Sequence, residues 1–391
     1  MDDNKKSYSG LKGFLLGILF TVGVISALFL LKNWDYVIGK EMKPTELGAK
    51  AKIADIYRMI DDVYLGEIDD EDLTEYMCAG LVAGLGDKYS TYYTQEQFEK
   101  IMQSANGHYS GIGVGIIKNE EGNIVIEACY ENTPAAKAGI QAGDILLNVG
   151  ETDVTALSTT EVVKLIQQAK EGETVSMTLK REGQSYTVDV SIEEVESISV
   201  TGSMMEDQIG YIRISEFTGV TAQQFSDAYK NLKEQKMERL IIDLRSNPGG
   251  LVSGVCDTLR QILPEGLIVY TEDKYGNRKE QTCVGETPID IPLVVLVNSS
   301  SASASEIFAG AVQDYGIGTI VGTVTYGKGV VQDTYQLRNG GAVKLTVSHY
   351  FTPKGNNING KGITPDVEID LPEDATEDVQ LNKAQEILRQ Q

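Results

Sequence analysis

Three short runs in the C-terminal half carry side chains able to do chemistry. Ser301-Ala302-Ser303-Ala304-Ser305-Glu306 follows the apolar run PLVVLVN and opens a helical pattern. Ser303 and Glu306 satisfy the S-x-x-E capping box, so Ser303 can be a helix cap. The same place suits a nucleophile, because free N–H groups at a helix N-terminus stabilise a developing oxyanion. The second run is YGKGVVQ, Tyr326 to Gln332. If it is extended, Lys328, Val330 and Gln332 share one face. Val330 then supplies the dry surroundings in which a lysine loses its proton and acts as a base. A surface lysine between flexible glycines is the other reading. Gly322 to Lys328 also spells G-x-x-x-x-G-K, but Gly329 follows where a Ser or Thr must hold magnesium. Val330-Val331 continue a strand where a phosphate loop needs a helix, which excludes nucleotide binding there. The third run, Asp243 to Gly250 (DLRSNPGG), closes a strand with a turn whose small residues and exposed N–H groups can approach a substrate carbonyl. An ordinary strand-to-helix turn reads the same way.

The elements that must position these runs form an α/β segment at about 197 to 370. Strands are expected at IGYIRI, LIIDLR, PLVVLVN, GTIVGT and GGAVKLTVSHYFT, and helices at Thr221 to Gln235, Leu251 to Leu263 and Ala304 to Tyr315. Upstream, residues 106–193 are β-rich (IVIEACY, VSMTLKR, YTVDVSI) with a helix at Thr159 to Ala169. Here Ser110 to Ile116 (SGIGVGI) precedes Thr133 to Val154 (TPAAKAGIQAGDILLNVGETDV), and the segment resembles a PDZ domain. Consecutive glycines let backbone N–H groups converge on an anion, and the next strand offers an edge to an extended peptide. Gly111, Ile112, Gly113, Val114 and Gly115 are therefore the expected carboxylate loop. A dinucleotide fingerprint is excluded, since its third glycine would fall on Ile116.

The N-terminal third sets the expected compartment. Gly13 to Leu31 is an uncharged run of 19 residues, long enough to span a bilayer. Lys5, Lys6 and Lys12 precede it and place the tail, 1–12, in the cytoplasm. Trp34 and Tyr36 suit the outer headgroup layer. The span continues past Ser26-Ala27-Leu28, so an uncleaved single-pass anchor is expected rather than a signal peptide. Residues 32–105 are expected to be a helical region, whose helices suit packing or a homodimer. Residues 371–391 are expected to be a C-terminal helical tail. The chain has 391 residues and a net charge of −23, a field that repels phosphate backbones and excludes a nucleic-acid partner. The two histidines, His108 and His349, and four cysteines without a C-x-x-C pair indicate no metal site. The pairing of Cys78, Cys129, Cys256 and Cys283 is not readable from their spacing.

The order PDZ-like segment, D-L-R-x-N-P-G-G, S-A-S-A-S-E, G-K-G-x-V-Q resembles the carboxyl-terminal processing peptidases, also called tail-specific serine proteases, over roughly residues 45 to 370. The resemblance implies an α+β multidomain protein: N-terminal transmembrane helix, helical arm, PDZ domain, and an α/β protease core of the crotonase and ClpP kind. It implies Ser303 as nucleophile, Lys328 as general base 25 residues on, and Gln332 as orienter of the lysine. The amides of Gly249 and Ala304 are implied as the oxyanion hole, with Glu306 and Asp314 in support. The implied activity is that of a membrane-anchored, extracytoplasmic serine-type endopeptidase without metal or cofactor, acting on proteins or peptides with free C-termini. Some relatives carry an arginine after the PDZ helix, where this chain runs Gln167-Gln168-Ala169-Lys170. An inactive adapter that binds C-termini through the PDZ segment is the alternative.

Overall fold

The computed structural model describes residues 44–372 and 375–391. They fall into two compact units, one ending at Tyr76 and one running from Met77 to Gln391. The anchor expected at 13–31 and the tail at 1–12 lie outside the described residues. Among the described residues no helix is long and apolar enough to cross a membrane.

The chain enters as α1 (Pro44–Val63) and α2 (Asp70–Ala83). Three acids, Asp70, Glu71 and Asp72, open α2 at the positive end of its dipole. Helical structure then stops at Gly86, whose φ of 67° is left-handed. The region up to 105 is not wholly helical. Thr91–Tyr93 is a strand, β1, because the aromatic and β-branched run TYY prefers a pleated surface. Thr94 and Gln97 then form a capping box that starts α3 (Gln95–Ala105).

The β-rich segment folds around its own core. β2 (His108–Gly111) pairs with β9 (Glu193–Glu196). Between them lie β3 (Val114–Lys118), β4 (Ile124–Cys129), the one-turn helix α4 (Pro134–Lys137), β5 (Ile145–Val149), β6 (Thr152–Asp153), α5 (Thr159–Ile166), β7 (Thr174–Arg181) and β8 (Gln184–Ser191). The sheet order is β3-β4-β5-β7-β8, with β6 on β5. Ile124 and Ile126 on β4, and Met177 and Leu179 on β7, are fully buried at alternate positions, as the period of two requires.

The remaining elements are β10 (Val200–Met204), β11 (Ile209–Ile214), α6 (Thr221–Glu234), β12 (Arg239–Asp243), α7 (Val252–Leu259), β13 (Gly266–Asp273), β14 (Arg278–Cys283), β15 (Leu293–Val297), α8 (Ala304–Tyr315), β16 (Thr319–Gly322), β17 (Val330–Gln336), β18 (Ala342–Phe351), β19 (Val367–Glu368) and α9 (Val379–Arg389). A six-stranded sheet runs β10-β11-β12-β15-β16-β19, parallel from β11 onward. All five residues of β15, LVVLV, are buried because both faces of the sheet are covered. Leu293, Val295 and Val297 join the core containing Phe225 of α6, Val255 of α7 and Phe308 of α8. Val294 and Leu296 face Ala384 and Leu388 of α9 on the other side. A second, antiparallel sheet runs β1-β18-β13-β14, with β17 also on β18. β1 thus brings the segment before α3 onto this sheet, with Thr91 opposite Lys344.

Candidate active site

The loops that follow β12 and β15, neighbouring parallel strands, leave the sheet at their carboxyl ends, where open α/β sheets place ligand sites. The two loops brace each other. Ser301 Oγ donates to the Leu244 carbonyl at 2.8 Å. The Ala302 N–H and the Ser305 hydroxyl both donate to the Asn247 carbonyl, each at 3.0 Å. Asn298 Oδ1 accepts from the Ser246 amide at 2.9 Å. Beneath them Asp243 is fully buried and accepts from Tyr211 Oη at 2.7 Å and Arg245 Nη2 at 2.6 Å. Arg245 also reaches Asp378 at 2.8 Å, which ties the α9 tail to this loop. Burial disfavours the Arg245 charge, but the bonds to Asp243 and Asp378 outweigh it and hold the guanidinium ionised above its ordinary value.

Ser303 stands at the head of α8 with φ 56° and ψ −112°, a conformation costly for a residue with a Cβ. Such strain persists where the surroundings impose it. Here the Ser303 N–H donates to Glu306 Oε2 at 2.8 Å, and Tyr350 Oη donates to the Ser303 carbonyl at 3.0 Å. The two halves of a capping box face each other, the Ser303 side chain toward the Glu306 N–H and the Glu306 carboxylate on the Ser303 N–H, but the hydroxyl is not in hydrogen-bonding geometry with that N–H. The Glu306 N–H goes instead to the Ser303 carbonyl at 2.9 Å. The serine side chain thus sits at the capping position without committing its hydroxyl to a capping hydrogen bond.

Glu306 is the hub of the site. Its carboxylate is fully buried and takes four donors: Ser303 N–H and Lys328 N–H on Oε2 (2.8 and 2.9 Å), Thr325 Oγ1 and Gly327 N–H on Oε1 (2.6 and 2.7 Å). One oxygen thus clamps the backbones of Ser303 and Lys328 together. Thr325 in turn accepts from the Ile363 amide at 2.7 Å. Asp314 lies further along α8, where it accepts from the Lys354 amide at 2.8 Å.

Lys328 is half-buried, and its Nζ lies 4.7 Å from the centroid of the Tyr89 ring. Burial holds its pKa below the ordinary lysine value, and the Lys344 and Lys88 charges push the same way against Tyr326 and Glu306. Gln332 sits on β17 beside an irregularity in the pairing with β18, between Val331 and Gln332. Its amide donates to Thr346 Oγ1 at 3.3 Å and makes no hydrogen bond to Lys328. Gly249, at φ 110°, packs directly on Ser303, since a Cβ there would lie 2.8 Å from Ser303 Cβ and 3.0 Å from Ala304 N. Its N–H donates to Asn247 Oδ1 at 2.8 Å, so this amide is engaged within its own turn. The Ala304 N–H, in the first turn of α8, has no acceptor among the described residues. His349 is exposed on β18 opposite Glu272.

The glycine loop lies between β2 and β3. Gly111 ends β2, Ile112 is buried, and Gly113 at φ 80° packs so tightly on Thr133 that a Cβ would lie 2.3 Å from its side chain. With Val114, Gly111 to Gly113 line a cavity of about 140 Å³ closed by Val163, Ile166 and Gln167 of and after α5. Gly115 follows within β3. Among the described residues the Ile112 and Gly113 amides have no acceptor within the chain. A strand edge, a helix and amides without acceptors are an arrangement that can take an extended peptide with a carboxylate terminus. Lys170, beyond α5, is exposed, and its backbone N–H is held by Glu173 at 2.8 Å. All four cysteines are free thiols.

Sequence reasoning did not single out Tyr89, Thr325 or Tyr350. Each acts through a contact between segments far apart in the chain, for which local spacing carries no signal.

The domain order is that of a peptidase core joined to a peptide-binding domain. Residues 208–369 match the family model of peptidase family S41, residues 110–192 a PDZ domain, and residues 33–97 the N-terminal domain of the activating protease CtpB. The carboxy-terminal processing protease CtpA of Bacillus subtilis is 33% identical over 360 residues, covering 91% of this chain and 77% of that protein. A carboxyl-terminal-processing protease of Synechocystis is 35% identical over 299 residues, 75% of this chain and 70% of its own. The fold is shared with the crystal structure of a putative S41 protease from Bacteroides fragilis, with a TM-score of 0.54 at 15% identity over 84% of this chain and 93% of that one. The chain belongs to peptidase family S41, as a carboxy-terminal processing serine protease with a PDZ domain.

Proposed function

We propose that this protein is a membrane-anchored, extracytoplasmic endopeptidase that captures the C-terminal tail of a protein in the groove between β3 and α5 and cuts the chain with Ser303 and Lys328. The observation that carries the site assignment is the buried Glu306 carboxylate, which holds the amides of both residues on one oxygen, while the Ser303 hydroxyl has no hydrogen bond among the described residues. Neutral Lys328 takes the Ser303 proton, the alkoxide attacks the scissile carbonyl, and the lysine returns the proton to the leaving amine. Water then resolves the acyl-enzyme. The Ala304 N–H is a ready oxyanion donor. The Gly249 N–H joins it after exchanging its bond to Asn247 for the substrate oxygen. Gln332 reaches Lys328 only by giving up Thr346, so it orients the base once the site is engaged. The 19-residue uncharged run at 13–31 and the lysines before it support a single-pass anchor with the catalytic part outside.

The test uses the full chain in detergent with an unfolded protein ending in apolar residues. Cleavage is expected from the native protein, not from Ser303→Ala or Lys328→Ala. The rate rises with pH through a value below that of an ordinary lysine, because deprotonation makes the base and burial lowers its pKa. Amidating the substrate C-terminus is expected to weaken cleavage. Undiminished cleavage by Ser303→Ala would remove the nucleophile assignment.

A further inference from the structure

The side chain of Lys328 ends on an aromatic face rather than on a hydrogen-bond acceptor. Its Nζ lies 4.7 Å from the Tyr89 ring centroid and has no hydrogen-bond partner among the described residues. Tyr89 comes from the segment 87–90, outside the stretch 208–369 that matches the peptidase family model. That segment is fixed in place. Asp87 Oδ1 accepts the Tyr89 N–H at 3.1 Å, and Oδ2 accepts the Ser90 hydroxyl at 2.6 Å. Ser90 Oγ in turn accepts the Thr346 N–H of β18 at 3.1 Å. Thr346 Oγ1 is also the acceptor for the Gln332 amide, so the segment and the glutamine expected to orient the base meet at one residue. On the open side, Lys88 Nζ lies 4.8 Å from the same ring and donates to Tyr326 Oη at 3.1 Å. The charged and titratable groups facing Lys328 are then Lys88 and Tyr89 from this segment, Tyr326 from its own loop, Lys344 from β18 and Glu306 from α8.

We propose that Tyr89 is a positioning residue for Lys328: its ring holds the lysine as an ammonium, short of Ser303, in the resting protein. The segment before the PDZ domain then sets how readily the base is released. The proposal rests on the reading of Lys328 as the base. The physical reason is that a ring quadrupole attracts an ammonium and not a neutral amine. Losing the proton therefore also removes the attraction that keeps the side chain on the ring, so release and activation are one event. The ring opposes burial and the Lys88 and Lys344 charges, all of which favour the neutral amine.

The experiment follows Lys328 itself. In the full chain carrying Ser303→Ala, acylation of Lys328 by a small amine-reactive reagent is measured against pH by peptide mass spectrometry, with and without Tyr89→Leu or Tyr89→Phe. Leucine keeps the site dry and removes the quadrupole, while phenylalanine keeps the ring face. Tyr89→Leu is expected to move the labelling midpoint down by about one pH unit, and Tyr89→Phe to leave it near the native position. In the active chain the rising limb of kcat/KM against pH moves by the same amount. An unmoved or raised midpoint in Tyr89→Leu overturns the proposal, because a ring that is only a packing wall does not shift it downward. Activity retained by Lys328→Ala overturns the base assignment underneath. The two failures are distinct, since the labelling measurement needs no catalysis.

Discussion

Glu306→Gln probes the clamp directly. The carboxylate has four donors, and the replacement is close in shape, but only one of its terminal atoms accepts. Its NH2 group must face either Ser303 and Lys328 or Thr325 and Gly327. The Thr325 hydroxyl can turn to accept, whereas backbone N–H groups cannot, so the NH2 settles on the Thr325 side. Gly327 N–H is then left buried without a partner, at a cost of about 1–3 kcal/mol. The two bonds remaining on the other side change from charge-assisted to neutral, which removes roughly half of their strength. Together these losses come to about 3 kcal/mol, or on the order of 100-fold in an equilibrium or a rate. If the strained Ser303 conformation survives, the loss appears as stability. If the turn relaxes, it appears in kcat, with KM little changed, because the peptide groove is elsewhere. Urea unfolding and steady-state cleavage on the same preparation read both parts. A variant within about 0.5 kcal/mol of native stability that also cleaves within about threefold of the native rate would show that Glu306 holds neither residue.

Gly113→Ala forces a Cβ into Thr133 at a residue with φ 80°. Weaker capture of free-carboxylate tails is expected, with hydrolysis of a short untailed peptide much less affected; titration of a labelled tail peptide checks this. Arg245→Met leaves the buried Asp243 carboxylate without its cation and is expected to destabilise the protein by about 3–5 kcal/mol, measured by denaturant unfolding. Asp378 is partly buried, but its bond to Arg245 more than offsets burial and holds its pKa below the ordinary carboxylate value. Its contribution is therefore present above that ordinary value and lost as pH falls through the lowered one. Asp378→Asn should flatten this part of the acid-stability curve, and an unchanged curve would deny the link between α9 and the active-site loop.

Much of the core was legible in the sequence because its signals are local. The apolar run at 292–298 read as a strand and contains one, and Ala304 to Tyr315 emerged as a helix over those same residues. The short β-type runs and the clustered glycines at 107–115 were visible locally, while their reading as a PDZ domain rested on the resemblance. The strand at Thr91–Tyr93 was hidden in a region read as helical. Three residues carry little periodic signal, and their pairing partner lies about 250 positions away. The chemistry divides in the same way. Residue types and order proposed Ser303 and Lys328, but a sequence cannot distinguish a capping serine from a free one. That distinction depends on where the Glu306 carboxylate and the Tyr350 hydroxyl sit in space. Nor does spacing tell that Gln332 rests on Thr346 or that Lys328 lies on Tyr89. Local pattern determines which elements form and which faces they bury. The protonation and reach of a side chain depend on neighbours brought from other parts of the chain, and only the tertiary structure decides those.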